Sequence, residues 1–90
     1  MHETGIVRNL VRRLEQVARE QRAERITGVT VRLGALCAFS PEHFRAHFEE
    51  DVRGTLAEGA ALHIELSQDI ADPHAQSVMI RGIDLDVPDT

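Results

Sequence analysis

Residues 25–33 read RITGVTVRL, a segment in which apolar and polar side chains alternate. One side of an extended chain would carry the apolar side chains of Val29, Val31 and Leu33. β-Branched residues, which favour strands, make up much of the segment, and Gly34 interrupts it. We therefore expect a strand with one buried face.

Two helices are predicted around this strand. From about residue 4 to residue 22, apolar side chains recur at three- and four-residue steps and form a single stripe. The second helix is expected to begin at Ser40–Pro41, because serine suits the N-cap and proline suits the first helical position. Gly54 is expected to end it. The side chains that should be buried together follow at four-residue steps, namely Phe44, Phe48 and Val52.

Two more strands are predicted in the second half of the chain. Residues 78–87 (VMIRGIDLDV) change their apolar parity near Gly82, which suggests a β-bulge. The loop 67–77 contains a turn at Asp72–Pro73 and should act as a hairpin connection between the two strands. Residues 60–66 (AALHIEL) alternate, and the side chains expected to face inward are Leu62, Ile64 and Leu66.

The predicted order of elements is αβαββ, which places the chain in the α+β class. One-sided alternation in the strands predicts a small three-stranded sheet with both helices on one face. The length of 90 residues suits a single domain spanning residues 1–90.

Composition narrows the range of functions. The formal net charge is −5, which disfavours nucleic-acid binding because phosphates require a basic surface. Cys37 is the only cysteine, so an intrachain disulfide and a CxxC zinc site are excluded. No apolar run approaches the roughly 20 residues of a membrane span, and no signal peptide is visible. We expect a cytoplasmic protein without a membrane span.

The opening residues Met1, His2 and Glu3 form the first candidate metal site. A free α-amine, the backbone nitrogen of His2 and its imidazole Nδ1 can chelate one metal ion in fused five- and six-membered rings. Three nitrogens arranged in this way favour planar coordination, which suits Ni(II) or Cu(II). The competing interpretation is an exposed histidine without a metal.

Other side chains offer weaker candidates for metal binding. His43 and His47 are one helical turn apart, so both imidazoles should lie on one face, and they are a possible auxiliary metal site. His74, in the loop, is a possible further donor. At all three positions an ordinary surface histidine is the competing interpretation. Cys37 is expected to be a buried structural thiol, and no phosphate loop or catalytic constellation is present, so we expect no enzyme.

Several segments of the chain resemble the HypA family of nickel metallochaperones for hydrogenase maturation. They are MHE at residues 1–3, RITGVTVRLGAL at 25–36, SPEHFRAHFEEDVRGTLAEGAALHIEL at 40–66 and VMIRGIDLDV at 78–87. The resemblance implies a nickel-binding domain in which Met1, His2 and Glu3 hold Ni(II). It also implies two protein partners, a hydrogenase large-subunit precursor and a HypB-type GTPase.

The chain departs from the family pattern at three places. Ser40 stands where some relatives have an aspartate, and Ala35 replaces an acid in the LGEL-type segment, so potential oxygen ligands are lost. Relatives carry a zinc domain with two CxxC pairs between the second and third strands. Here the loop 67–77 takes its place and contains no cysteine, so we expect no structural zinc.

Two hypotheses follow for the function. In the first, the chain is a nickel metallochaperone, and transfer of the metal is ligand exchange. In the second, it is a metal-free interaction module or scaffold for hydrogenase maturation, which the loss of the zinc domain favours. The retained Met1–His2–Glu3 start favours the chaperone, because a scaffold has no physical need for a chelating terminus. A homodimer through an exposed sheet edge is a further possibility.

Overall fold

The computed structural model describes residues 3–88 and contains the five predicted elements in the predicted αβαββ order. Both helices pack on one side of a three-stranded sheet, which confirms the α+β class. None of the helices in this range combines the length and apolar character needed to cross a bilayer. The elements are α1 (Glu3–Glu20), β1 (Arg25–Leu33), α2 (Pro41–Asp51), β2 (Ala61–Leu66) and β3 (Val78–Asp86).

The strand order in the sheet is β2-β1-β3. β1 pairs in parallel with β2 and antiparallel with β3, so β1 is central and the other two strands are edges. The expected hairpin connection between β2 and β3 is therefore wrong. β2 ends and β3 begins beside Leu33, which pairs with Leu66 on one side and with Val78 on the other. The loop 67–77 therefore crosses the end of β1.

The β-bulge predicted at Gly82 is present. Thr30 lies opposite Gly82 while Val31 lies opposite Ile80, so Arg81 is an additional residue in β3. A bulge changes which face the following side chains occupy. Apolar residues on both sides of Gly82 consequently pack against the same core, namely Val78, Ile80, Ile83 and Leu85.

The core lies between the helices and the sheet. α1 contributes one stripe of buried side chains, as the three- and four-residue spacing predicts. The predicted trio of α2 is buried together, with exposed fractions of at most 4% for Phe44, Phe48 and Val52. The main residues from α1 and β1 are Val7, Leu10, Val11, Leu14, Ala18, Ile26, Val29, Val31 and Leu33.

Three local expectations are corrected. Leu66 is 61% exposed instead of inward, because it ends an edge strand beside an open groove that Pro41 of α2 also lines. Cys37 is only half-buried, and its Sγ donates to the carbonyl oxygen of Phe39 at 3.5 Å. α2 ends at Asp51, three residues before Gly54.

The loop 67–77 is organised by turns and is docked on the segment after β1. The predicted turn at Asp72–Pro73 is present, and the amide of Ala75 donates to the carbonyl of Asp72 at 3.0 Å. Ala75 is buried. Its carbonyl accepts a 2.7 Å hydrogen bond from the amide of Leu36, and the amide of Gly34 donates to Ser77 at 2.9 Å.

Candidate metal centres

The predicted N-terminal site is only partly within the described residues. Met1 and His2 lie outside them, and Glu3 is the first residue of α1. The first amide groups of an α-helix have no partner within the helix. The predicted chelate at Met1, His2 and Glu3 therefore stays a prediction.

The second candidate consists of His43 and His47 on α2, which we call the histidine pair. Their Nε2 atoms are 3.0 Å apart, and one ring donates a hydrogen bond to the other according to the tautomers present. The ring centroids are 4.7 Å apart and the ring planes are inclined by 46°. The four-residue spacing thus brings both imidazole tips together, as predicted.

The start of α2 fixes the position of His43. Ser40 is the N-cap, and its Oγ accepts a hydrogen bond from the amide of His43 at 3.2 Å. This bond satisfies one of the amides that a helix leaves without a partner. His43 is therefore at the third helical position and His47 is one turn further along. His43 is exposed and His47 is half-buried.

The ring of Phe39 packs against both imidazoles of the histidine pair. Its ring is 6% exposed and packs edge-on against Phe44, with centroids 5.5 Å apart. This contact between the residue before the N-cap and the fourth helical residue is a hydrophobic staple. The Phe39 centroid also lies 5.7 Å from that of His43 and 6.2 Å from that of His47.

The sequence alone does not indicate Phe39 as a site residue, because there it is only an apolar neighbour of Cys37. The signal that identifies it is the staple spacing, with an aromatic residue directly before Ser40 and another five residues later at Phe44. Because the ring of Phe39 contacts both imidazoles, it limits the rotamers that the two histidines can adopt.

The other histidines are placed separately. His74 is exposed in the loop, and its amide donates to Oδ1 of Asp72 at 2.8 Å. His63 is exposed on β2. Within residues 3–88, no three side chains of His, Cys, Asp or Glu come together in a way that could hold one metal ion. The auxiliary role of His74 stays a prediction.

The chain matches the family model described as "Hydrogenase/urease nickel incorporation, metallochaperone, hypA" over residues 1–72. It is 45% identical over 64 residues to the hydrogenase maturation factor HypA of Azotobacter chroococcum, which covers 71% of this chain and 57% of that protein. It is 35% identical over 68 residues to HypA of Archaeoglobus fulgidus, covering 76% and 62%. The matched region thus spans about three fifths of these relatives' length.

A likeness in structure extends over nearly the whole chain. The solution structure of the Ni metallochaperone HypA from Helicobacter pylori superimposes with a TM-score of 0.81, covering 98% of this chain and 100% of that chain. The sequence identity is 17%, so this likeness supports the fold alone. It agrees with the αβαββ order and with the mixed sheet.

Proposed function

Because the chain belongs to the HypA family, we propose that it is a nickel-binding accessory protein for the maturation of NiFe hydrogenase. The observation that carries this proposal is that the family match begins at residue 1 and includes Met1, His2 and Glu3. The family description names a metallochaperone, which is not a catalyst. The proposed activity is accordingly binding and transfer of a metal ion.

The chemistry of the N-terminal residues suits Ni(II). The α-amine of Met1, the backbone nitrogen of His2 and its imidazole supply three nitrogen donors, and Ni(II) accepts such donors in a planar arrangement. Coordination requires the backbone nitrogen to lose its proton.

Transfer to a recipient would proceed by ligand exchange. A site with three protein nitrogens leaves a coordination position for an incoming ligand, so the metal can pass to a recipient without being fully released. We propose a hydrogenase large-subunit precursor as the recipient and a HypB-type GTPase as a second partner. Both are expectations from family membership, and the chain spans about three fifths of its relatives' length.

The domain organisation is part of the same proposal. We infer that residues 1–90 form one nickel-binding domain in which the loop 67–77 stands in the place of the zinc domain. Support comes from the loop itself, since it contains no cysteine and is docked through the hydrogen bonds of Ser77 and Ala75. No structural zinc is expected under this proposal, and metal analysis of the purified chain would check it.

The proposal is tested by calorimetric titration of NiCl2 into the untagged chain at neutral pH. We expect a tight step of one equivalent that is lost in His2→Ala and kept in the matched control His63→Ala, which removes an exposed histidine from β2. A third variant with one extra residue before Met1 keeps the imidazole but displaces the amine. It should also lose the tight step, because the fused chelate rings are broken.

Contrary results have separate meanings. A chain that binds no nickel would favour the metal-free interaction module, and pull-down of a hydrogenase large-subunit precursor by that chain would then be the defining assay. A tight step that survives His2→Ala would place the metal elsewhere and refute the terminal chelate. Sedimentation analysis of the same samples would show whether the chain forms the homodimer predicted from its exposed sheet edges.

A further inference from the structure

We propose that the groove between α2 and β2 binds an extended, basic peptide segment of a partner protein, which adds to the free edge of β2 as a further strand. The edge backbone of Ile64 and Leu66 would supply the hydrogen bonds, and Glu42 and Glu49 would supply the preference for a basic side chain. The proposal does not depend on nickel binding, since it uses none of the donor atoms of the predicted metal site.

The register of the sheet shows which backbone groups of β2 point away from β1. Leu33 lies opposite Leu66, and the carbonyl oxygen of Leu33 accepts a 3.0 Å hydrogen bond from the amide of Ser67. Ser67 therefore directs its backbone toward β1. Successive residues of a strand direct their backbone groups to opposite sides, so the N–H and C=O groups of Ile64 and Leu66 lie on the free edge. An edge strand offers such groups as a template for another chain.

Arg45 of α2 closes one end of this edge. Its guanidinium donates to the carbonyl oxygen of Leu62 at 3.1 Å, so this acceptor of β2 is already bound. The bond agrees with the alternation, because Leu62 and Ile64 direct their backbone groups to the same side. Within residues 3–88, the free-edge groups of Ile64 and Leu66 have no hydrogen-bond partner. The open part of the edge is therefore residues 64–66.

An open groove accompanies this part of the edge. Its volume is about 400 Å³, which is within the range of ligand-binding clefts. The sheet side of the groove is apolar, since it is lined by Ile64 and by Leu66, which is 61% exposed. A strand placed on the edge would run beside α2 and cover the side chain of Leu66. The opposite wall is formed by Pro41, Glu42, Arg45, Ala46 and Glu49.

The charge of that wall favours a basic occupant. Glu42 and Glu49 lie about two helical turns apart on one side of α2. Both are exposed, and among the described residues neither carboxylate forms an ion pair. Arg45 lies between them, but its guanidinium is bound to Leu62. The wall thus carries more negative than positive charge, which a basic side chain of the occupant would complement.

These features define the chemistry of the occupant. Pairing with a strand edge requires an extended segment, whose side chains alternate between the two faces of the sheet. The side chains on the face toward α2 would be an apolar residue against Leu66 and a basic residue against Glu42 and Glu49. A helical segment has no free backbone groups for the edge, and an acidic segment would be repelled by the wall.

The test is a titration of the full chain, in EDTA, with fluorescent peptides of six residues, the length of β2. In the first peptide, threonine at every second position alternates with valine and arginine. In the second, glutamate replaces arginine. We expect the arginine peptide to bind more tightly by at least about 5-fold and to lose this advantage at high salt. N-methylation of one alternate set of peptide amides should abolish binding and methylation of the other set should not, because only one set faces β2.

Variants of the chain locate the bound peptide. Leu66→Pro removes a free-edge N–H but none of the groups that pair with β1, so it should weaken binding at least about 10-fold. Glu42→Gln combined with Glu49→Gln should remove the preference for arginine. The matched control Glu50→Gln, on α2 but outside the groove, should retain it. Thermal unfolding verifies that each variant is folded, and if Leu66→Pro is not, the glutamine variants and the methylated peptides decide.

Several results would overturn the proposal. They are a lack of binding by every peptide, equal binding of the arginine and glutamate peptides, and equal behaviour of the two methylated sets. A dimer in sedimentation that Leu66→Pro converts into a monomer would also overturn it, because the groove would then belong to a second copy of the chain. Failure of nickel binding would change none of these results, since the measurements are made without metal.

Discussion

Gly34 and Ala75 touch through their backbones, so the loop 67–77 is locked onto the end of β1 at a point where no side chain fits. A Cβ atom added to Gly34 would collide with the carbonyl group of Ala75 and lie 2.7 Å from the carbonyl oxygen of His74. The Ala75 carbonyl is itself bound by the amide of Leu36. The close approach therefore fixes the loop that joins the two edge strands.

Replacing Gly34 with alanine should destabilise the fold. The backbone of the loop would have to move and give up its hydrogen bonds, so we expect a loss of about 1–3 kcal/mol in the free energy of unfolding. Chemical denaturation measures this loss. The matched control is Gly28→Ala, where the new Cβ would meet Oδ2 of the Asp84 side chain. Asp84 is exposed and can rotate away, so equal losses in both variants would contradict the explanation.

Replacing Arg22 with glycine should stabilise the protein. Arg22 lies two residues after the end of α1 and has a φ of 57°. The amide of Ala23 donates to the carbonyl of Ala18 at 2.8 Å. This is the Schellman arrangement, in which glycine is preferred because the left-handed conformation costs other residues about 1–2 kcal/mol. Part of the gain is offset by the greater freedom of glycine in the unfolded chain.

We expect Arg22→Gly to raise the free energy of unfolding by about 0.5–1 kcal/mol, measured by urea denaturation. Gln21→Gly is the matched control, because Gln21 is also exposed and has no positive φ. It should be neutral or destabilising. A gain in both variants would mean that removal of a side chain, and not relief of strain, is the cause.

Removing the cap of α2 should weaken the helix. In Ser40→Ala the amide of His43 loses its side-chain acceptor, which should cost about 1 kcal/mol. Ser40→Asp is the informative comparison, since aspartate is an equally good N-cap and its charge suits the helix N-terminus. Thermal unfolding should place Ser40→Asp at or above the wild type. A cost shared by both variants would show that the serine does more than cap.

Replacing Phe39 with leucine should make the side-chain positions of the histidine pair less well defined. Phe39→Leu keeps an apolar side chain in the core but removes the ring faces that contact His43 and His47. We expect a modest loss of stability, below about 1.5 kcal/mol, together with shifted NMR resonances of both imidazoles, because the aromatic ring in contact with them is gone. Phe48→Leu is the control, because Phe48 is buried on α2 and packs on Phe44. It should alter stability without shifting the imidazole resonances of the histidine pair.

The elements of the fold can be predicted from the sequence because each has a strong periodic signal. The stripe of α1, the Ser40–Pro41 start of α2 and the parity change at Gly82 each correspond to an observed feature. The neighbours of each strand cannot be predicted in this way. The apolar residues of β2 and β3 indicate a buried face, but they do not indicate that both strands pair with β1 instead of with each other.

Prediction of the candidate site is limited by a similar ambiguity. The four-residue spacing of His43 and His47 places both rings on one face of α2. The distance of 3.0 Å between their Nε2 atoms also depends on the side-chain rotamers. Those rotamers are influenced by Phe39, which precedes the helix. The left-handed Arg22 has no sequence signal either, since the usual marker of that conformation is glycine.

The strand order makes the loop 67–77 a suitable site for inserting a foreign module. Leu66 and Val78 flank Leu33 on opposite sides, so the loop joins points about two strand spacings, or roughly 10 Å, apart. Residues 68–71 at its start are exposed, whereas Ala75 holds the later part in place. A foreign module whose own ends lie close together could therefore be inserted after Gln68, while the later part of the loop keeps its place across the end of β1. A reporter domain could in this way be joined to the fold within one polypeptide.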